Sequence, residues 1–154
     1  MRVDADIIDE RGRVVCADES DTIRFGGRVA ACLRPGDVVL LFGEMGAGKS
    51  VIARAIGRAL GVDAPMPSPT FTVMIPYTGR VPVIHFDLYR LEDEDAFFAA
   101  GLGENIGGVN ICLIEWPDRF LPLFNNAARV IEIRVDYGNE ERERVIEYSM
   151  IERP

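Results

Sequence analysis

A glycine-rich loop between an apolar run and a helical pattern constrains this chain more than any other feature. Residues 43–50 read Gly-Glu-Met-Gly-Ala-Gly-Lys-Ser and match every fixed position of the pattern G-x-x-x-x-G-K-[ST]. The continuous apolar run Val38–Phe42 just before the loop is typical of a strand buried on both faces of a sheet. A helix is predicted from about Lys49 to Leu60, with Gly61 closing it. Strand, loop and helix therefore follow one another in the order that a phosphate-binding loop requires.

The loop also contains the only lysine of the chain, Lys49, among 17 Lys and Arg residues. A compact ammonium on a flexible stem suits the β- and γ-phosphates of a nucleotide, and a planar guanidinium replaces it poorly. The loop glycines let backbone N–H groups point inward around the phosphates, and the Ser50 hydroxyl is a candidate Mg²⁺ ligand. An incidental glycine-rich turn is the alternative, and the flanking strand and helix disfavour it.

Length and composition narrow the class of protein. The chain of 154 residues is predicted to form a single domain over residues 1–154. No apolar run approaches the roughly 20 residues that a membrane span needs, and the N-terminus lacks the apolar region of a signal peptide. The scattered cysteines Cys16, Cys32 and Cys112 indicate reduced thiols, so we expect a cytoplasmic location. The net charge of −8 disfavours direct, autonomous binding of DNA or RNA, because a surface that grips their phosphates carries a basic excess.

Hydrophobic patterns predict the remaining strands and helices. In chain order they are a strand pair around Arg11-Gly12 with residues 14–16 as its second arm, a helix that begins within residues 18–21 and ends near Leu33, strands over residues 71–77 and 81–87, a helix over residues 91–100, and a strand over residues 110–115. The C-terminal quarter then alternates apolar and charged residues in two runs around residues 137–139. This alternation predicts an antiparallel hairpin at the edge of the sheet.

Two carboxylates that end apolar strands are candidates for the Mg²⁺ side of the site. Asp87 ends the predicted strand 81–87, and Glu115 ends the strand 110–115. A phosphate-binding loop needs such a carboxylate on a neighbouring strand. Glu115 is the preferred metal ligand because its strand is apolar up to the tip, whereas Asp87 would orient water around the metal. The alternative for each residue is to cap a following helix.

Three further features have both a structural and a functional explanation. His85 lies two residues before Asp87, so both side chains are predicted on one face of a strand, and it is either a buried structural histidine or a catalytic base. Trp116 adjoins Glu115 and either packs over a nucleotide or wedges the end of the strand into the core. Residues 68–70, Ser-Pro-Thr, form either an ordinary proline turn or a rigid, hydroxyl-bearing loop near the γ-phosphate.

These motifs occur together in one known family. Residues 43–50, residues 68–71 (Ser-Pro-Thr-Phe), residues 85–91 (His-Phe-Asp-Leu-Tyr-Arg-Leu) and residues 114–117 (Ile-Glu-Trp-Pro) follow one another at family-like spacing. The chain resembles the bacterial ATPase family of tRNA threonylcarbamoyladenosine biosynthesis, TsaE, from about residue 18 to the terminal hairpin. Many families share the phosphate loop, whereas the His-x-Asp-x-Tyr-Arg-Leu and Glu-Trp-Pro stretches are specific.

The resemblance implies an α/β, P-loop NTPase-like three-layer fold with a mostly parallel central sheet. It implies Mg²⁺-dependent ATP hydrolysis that is slow in the isolated chain. It also implies two partner proteins, a kinase-like threonylcarbamoyl transferase subunit and its inactive paralogue, which together modify the adenosine next to the anticodon of tRNA. The tRNA would meet this acidic chain only indirectly, through the complex, and no membrane partner is expected.

The resemblance also assigns roles to individual residues. Lys49 would contact the phosphates, Ser50 and Glu115 would hold the Mg²⁺, and Asp87 would support hydrolysis, so that Lys49, Asp87 and Glu115 form the catalytic set. The nucleotide-binding residues implied by the motif and the resemblance are Thr22, Glu44, Met45, Gly46, Ala47, Gly48, Lys49, Ser50 and Val51. Ser50 stands where the family more often has threonine, a change that the metal tolerates.

Other functions also fit the phosphate loop alone. A P-loop small-molecule or nucleotide kinase is the main alternative, but such enzymes usually need an arginine-bearing lid, and no compact Arg-rich insertion occurs. A nucleotide-gated binding module without turnover is the second alternative. A guanine-nucleotide switch is weaker, because the only lysine is already in the loop and no Asn-Lys-x-Asp stretch is possible. The arginine that assists hydrolysis is Arg90, Arg119 or Arg142, or it is supplied by a partner.

Overall fold

A computed structural model of the chain describes residues 10–153, which form one seven-stranded sheet with helices on its faces. The strands are, in chain order, β1 Arg11–Cys16, β2 Val38–Phe42, β3 Met74–Thr78, β4 Pro82–Asp87, β5 Ile111–Glu115, β6 Arg129–Tyr137 and β7 Arg144–Glu152. Their order across the sheet is β1-β7-β6-β2-β5-β4-β3. The phosphate-binding loop predicted after β2 therefore leaves the sheet at its centre.

The central strands are parallel, and both sides of the sheet end in antiparallel pairs. β2 pairs in parallel with β5 on one side and with β6 on the other, and β4 pairs in parallel with β5. β3 is antiparallel to β4, and β7 is antiparallel to both β6 and β1. The prediction of a mostly parallel central sheet with an antiparallel C-terminal hairpin is confirmed. The carboxyl ends of β2, β4 and β5 meet at one edge, where ligands bind in open α/β sheets.

Two long helices cover one face of the sheet. α1 (Glu19–Cys32) begins at Asp18, whose side chain accepts a hydrogen bond from a backbone N–H of the first turn. It packs against α2 (Lys49–Ala59), which follows the loop. Gly26 permits this close packing, because a β-carbon at that position would lie 2.6 Å from the β-carbon of Ala55. The helix layer therefore fixes the first turn of α1 next to the loop.

Short elements cover the other face and complete the three layers. α3 (Glu94–Ala99) and the 3-10 turns Gly103–Asn105 and Leu121–Phe124 lie over the central strands, and all five residues of β2 are buried. The buried aromatic side chains of this layer are Phe97, Phe120 and Phe124. Within residues 10–153, no helix is long and apolar enough to cross a membrane.

Both ends of the chain depart from the prediction. β1 runs without a break through Arg11 and Gly12 and pairs with β7, and the predicted first arm lies outside the described residues. The strand has glycine at this position because Tyr148 lies directly against it. A β-carbon at Gly12 would lie 2.2 Å from the Tyr148 hydroxyl oxygen. The predicted edge position of the C-terminal hairpin is wrong, since β6 lies beside β2 and β1 covers β7. The alternating pattern identifies the buried face of a strand but not its neighbours.

Two predicted elements begin later than expected. The strand predicted over residues 71–77 starts at Met74, because Val73 adopts φ +68° and its N–H donates to the carbonyl of Pro69 in a turn. The helix predicted over residues 91–100 starts at Glu94, where the Asp93 side chain caps it. Secondary-structure propensity alone did not locate either boundary. The turn at Val73 sets the start of the strand, and the Asp93 cap sets the start of the helix.

The end of α2 depends on a glycine with positive φ. Gly61 has φ +92°, and the N–H groups of Gly61 and Val62 donate to the carbonyls of Arg58 and Gly57. The nearest atom to a β-carbon there, the backbone nitrogen of Arg80, lies at 3.4 Å, so space is sufficient. We expect Gly61→Ala to lower the free energy of unfolding by about 1–2 kcal/mol, because a β-carbon is strained in this conformation. Urea denaturation followed by circular dichroism measures the change.

The matched control is a glycine with ordinary helical geometry. Gly27 lies within α1, and nothing lies within 4 Å of a β-carbon placed there. We expect Gly27→Ala to raise the free energy of unfolding by about 0.5–1 kcal/mol, because alanine loses less conformational entropy in a helix. Equal stability of the Gly61→Ala protein and the wild type would contradict the role assigned to the positive φ.

Candidate functional site

The loop between β2 and α2 needs glycine at both positions that the pattern fixes. Gly43 has φ +149° and Gly48 has φ +121°, values that residues with a β-carbon rarely adopt. At Gly43 a β-carbon would also lie 2.6 Å from the carbonyl oxygen of Val135, on β6. The loop therefore packs directly against its neighbouring strand, and the following helix begins at Lys49.

Lys49 points into the loop and is only 5% exposed. Its Nζ donates to the backbone oxygens of Gly43 at 2.5 Å and Glu44 at 2.9 Å, and it lies 4.0 Å from the centre of the Trp116 ring. Burial lowers the pKa of Lys49, and the carboxylates that end β5 and β4 act in the opposite direction. The ammonium therefore sits beside two carboxylates in a partly desolvated site, where charge interactions are stronger than in water.

The buried carboxylate of Glu115 links β5 to α2 and β4. Ser50 Oγ donates to it, at 3.0 Å from Oε1 and 3.1 Å from Oε2. His85 Nε2 lies 2.5 Å from Oε2, and the His85 side chain is fully buried. The two residues predicted as Mg²⁺ ligands are therefore in direct contact, although they are 65 positions apart in the sequence.

Asp87 ends β4 beside Glu115, and the two residues are partners in the parallel register. Asp87 Oδ1 accepts a hydrogen bond from the backbone N–H of Tyr89 at 3.0 Å, and Oδ2 accepts one from Thr70 Oγ1 at 3.1 Å. Ser68 Oγ lies 2.8 Å from Thr70 Oγ1. The hydroxyl-bearing loop predicted over residues 68–70 therefore contacts the second candidate carboxylate.

Trp116 covers the lysine at the end of β5. Its φ of +56° is unusual for a bulky residue and marks local backbone strain. Its ring contacts the Lys49 ammonium and also the Tyr89 ring, whose centre is 4.8 Å away. The Trp116 side chain is partly exposed and lines a cavity beside the loop, so it is not wedged into the core, and its packing over a nucleotide stays a prediction.

Two cavities adjoin the loop, and both reach Gly46, Gly48 and Val51. The smaller has a volume of about 360 Å³ and contains the residues with predicted chemistry, Lys49, Ser50, Asp87 and Glu115. The larger, of about 600 Å³, adds the first turn of α1 with Thr22, and it also contains Ala47. Met45 lines the smaller cavity. Glu44 lines neither cavity and contributes to the site through its carbonyl oxygen, which accepts a hydrogen bond from Lys49.

Two side chains of the C-terminal hairpin hold the loop, and neither was predicted from the sequence. The Tyr137 hydroxyl donates to the carbonyl of Met45 at 2.9 Å, and Arg144 Nε donates to the carbonyl of Ala47 at 2.9 Å. The Arg144 guanidinium lies 4.6 Å from the centre of the Tyr137 ring. These bonds fix the orientation of loop peptides and hence of their N–H groups. No local pattern marks either residue, since the contact depends on β6 lying beside β2.

The three candidate arginines occupy different places. Arg90 lines the smaller cavity, and Arg142 lines the larger one. Arg119 instead donates to the backbone carbonyls of Tyr89 at 3.1 Å and Leu91 at 2.7 Å. Arg119 therefore secures the segment that follows β4.

The donor set fits Mg²⁺ bound together with a nucleotide. Among residues 10–153, no group of three His, Cys, Asp or Glu side chains could hold a metal ion by itself. Mg²⁺ usually keeps several waters and is bound through one or two carboxylates plus substrate phosphates. Ser50 and Glu115 provide a hydroxyl and a carboxylate beside the loop, which is the partial set of ligands that a phosphate-bound Mg²⁺ requires.

A phosphate loop at the centre of a mostly parallel sheet, with carboxylates ending the neighbouring strands, defines a class of protein. The chain is a P-loop NTPase-like α/β protein. The crystal structure of YdiB from Bacillus subtilis has this fold, with a TM-score of 0.71 and 24% sequence identity, over 92% of this chain and 86% of that one.

Sequence comparisons give the family within that class. The family model described as threonylcarbamoyl adenosine biosynthesis protein TsaE matches residues 16–146. The tRNA threonylcarbamoyladenosine biosynthesis protein TsaE of Treponema pallidum is 36% identical over 130 residues, 84% of this chain and 96% of that protein. The protein of the same name from a Nostoc species is 35% identical over 147 residues, 91% of this chain and 87% of its relative. The chain belongs to the TsaE family of tRNA threonylcarbamoyladenosine biosynthesis proteins, which confirms the predicted resemblance.

Proposed function

We propose that this chain is an ATP-binding and ATP-hydrolysing subunit required for the threonylcarbamoyladenosine modification of tRNA. One observation carries the proposal, the convergence of Lys49, Ser50, Asp87 and Glu115 on a single cavity beside the phosphate loop. A buried ammonium and a helix N-terminus favour phosphates there, and the adjoining carboxylates favour a divalent cation. Membership of the TsaE family supports the pathway.

In this proposal, each residue of the site has a different chemical role. The loop N–H groups and Lys49 bind the phosphates and stabilise charge on the transferring phosphoryl group. Ser50 and Glu115 would hold Mg²⁺, which would neutralise negative charge on the phosphates. Asp87, fixed by its hydrogen bond from Thr70, orients the attacking water. The larger cavity, which includes Thr22, gives space for the nucleoside end of ATP.

The proposal includes partners and a location. We propose that the chain acts on a complex of a kinase-like threonylcarbamoyl transferase subunit and its inactive paralogue, and that hydrolysis resets this complex. The formal net charge of −8 supports indirect contact with tRNA, because an acidic surface binds nucleic-acid phosphates weakly. A cytoplasmic location fits a tRNA-modifying complex.

Phosphate release tests the proposed function. The purified chain should release phosphate slowly from ATP in the presence of Mg²⁺, and faster with both partner subunits and tRNA. Unchanged turnover on adding the partners would count against the reset of a complex. Transfer of labelled phosphate to a metabolite, with little release into water, would favour the alternative of a small-molecule or nucleotide kinase.

The hydrogen bonds from the hairpin to the loop predict a contribution to nucleotide affinity. We expect Arg144→Met to weaken ATP binding about tenfold, in line with the lower end of the ~1.5–3 kcal/mol typical of hydrogen bonds from charged groups. The reason is that the Ala47 peptide loses the donor that orients it. Calorimetric titration with a non-hydrolysable ATP analogue measures the affinity.

Arg80→Met is the matched control for this substitution. Arg80 also donates from its guanidinium to a backbone carbonyl, that of Ala59, at the far end of α2. ATP affinity should stay within twofold of wild type in this variant. If both substitutions weakened binding equally, the effect would belong to general stability and not to the loop.

A further inference from the structure

We propose that His85 is a positioning residue for Glu115, and that its ring holds the carboxylate in the orientation that binds the metal. The inference rests on the proposed Mg²⁺–nucleotide site and goes beyond it, because it assigns a role to a residue that touches neither ligand. His85 Nε2 lies 2.5 Å from Glu115 Oε2, and both side chains are buried. An ionised carboxylate only accepts hydrogen bonds, so a metal-binding Glu115 requires His85 Nε2 as the donor.

The contact follows from the register of two adjacent strands. β4 and β5 pair in parallel, with His85 opposite Leu113 and Asp87 opposite Glu115. His85 and Asp87 lie on one face of β4. The ring therefore reaches along the face of the sheet to Glu115, while Ser50 approaches the same carboxylate from α2. Two hydrogen bonds from two different elements fix one side chain.

Core packing alone does not explain a histidine at this position. The side chain is 0% exposed, and within residues 10–153 its Nδ1 has no hydrogen-bond partner. An unpaired buried polar atom costs about 1–3 kcal/mol, a cost that an apolar side chain would avoid. The residue opposite His85 on β5, Leu113, belongs to the apolar core. The hydrogen bond from Nε2 to Glu115 offsets this cost and gives the ring a function.

Without that bond, the Glu115 carboxylate has a competing partner. Glu115 is the carboxylate with the largest charge interaction with Lys49. A carboxylate free to turn toward the ammonium would occupy the cation that the phosphates need and remove an oxygen from the metal. By holding the carboxylate, His85 prevents Glu115 from pairing with Lys49. Hydrogen-bonding partners that orient a metal ligand in this way raise metal affinity.

Three substitutions separate positioning from packing. His85→Gln places an amide nitrogen close to the position of Nε2, whereas His85→Asn places the same group near the position of Nδ1, out of reach of Glu115. His85→Leu removes all polar atoms. For each protein, Mn²⁺ binding to the complex with a non-hydrolysable ATP analogue is followed by electron paramagnetic resonance. Affinity for the analogue is measured separately in EDTA.

We expect Mn²⁺ affinity to fall about tenfold in the Asn or Leu variant and to stay near wild type in the Gln variant. Analogue affinity in EDTA should stay within twofold throughout. Wild-type Mn²⁺ affinity in the Asn and Leu variants would overturn the inference, as would parallel losses of metal affinity and metal-free nucleotide affinity. Loss of the native fold in all three variants would also overturn it, because the ring would then be a core residue. Absence of Mn²⁺ binding in the wild-type complex would instead refute the proposed function.

Discussion

Lys49→Ala is expected to lower ATP affinity and hydrolysis on the order of 10²–10³-fold, as loss of a preorganised donor to developing negative charge does in other enzymes. The Lys49 ammonium is buried, bonded to two loop carbonyls and covered by Trp116. No lysine elsewhere in the chain can replace it. Titration with a non-hydrolysable ATP analogue and phosphate-release assays measure the two losses.

Two further variants show whether charge or shape is responsible. Lys49→Arg keeps the positive charge, but we expect it to lower ATP affinity and hydrolysis nearly as much as Lys49→Ala does. Lys49 is only 5% exposed, and a planar guanidinium does not fit in its place. Arg54→Ala removes a positive charge from an exposed position on the same helix and should leave ATP binding unchanged. Wild-type binding by Lys49→Ala would exclude the phosphate role assigned to the loop.

The loop was predictable from the sequence because its requirements are local. Glycine is needed where φ is positive, and this condition holds at both glycines that the pattern fixes, Gly43 and Gly48. The lysine and serine follow at once, since they open the helix that the loop leads into. The apolar run of β2 predicted a strand buried on both faces, and its five residues are buried.

The carboxylates were predictable in position but not in their contacts. Apolar runs that end in Asp87 and Glu115 indicate two buried strands, and the carboxyl ends of parallel strands meet at one edge. The 2.5 Å contact between His85 and Glu115 depends on the register of β4 against β5, which no local pattern encodes. The same limit applies to Thr22, which only the family resemblance pointed to and which lies in the larger cavity.

The hairpin shows most clearly what a sequence pattern omits. Alternation in β6 and β7 predicted an antiparallel pair correctly, but strand order is decided by packing over the whole sheet. β6 lies beside β2 and not at the edge, so Tyr137 and Arg144 reach the loop. Two residues with no motif of their own thereby became part of the candidate site.

Glu115→Gln is expected to separate nucleotide binding from hydrolysis. The glutamine has the same size and keeps an oxygen that can accept from Ser50, so the loop and the apolar strand of β5 remain as they are. It removes the charge that the metal requires. We expect phosphate release to fall by at least about 10²-fold, while ATP affinity in EDTA stays within a fewfold of wild type. Phosphate release at saturating Mg²⁺ and analogue titration in EDTA measure the two quantities.

This pair of results distinguishes an ATPase from a binding module without turnover. A module that only binds nucleotide does not hydrolyse it, so phosphate release would stay at the same background level with glutamate and with glutamine. Glu147→Gln is the matched control, because it makes the same change on an exposed residue of β7. Loss of hydrolysis in Glu115→Gln alone, with binding kept, requires the carboxylate that ends β5 to act after ATP has bound. Equal hydrolysis in all three proteins would remove Glu115 from the catalytic set.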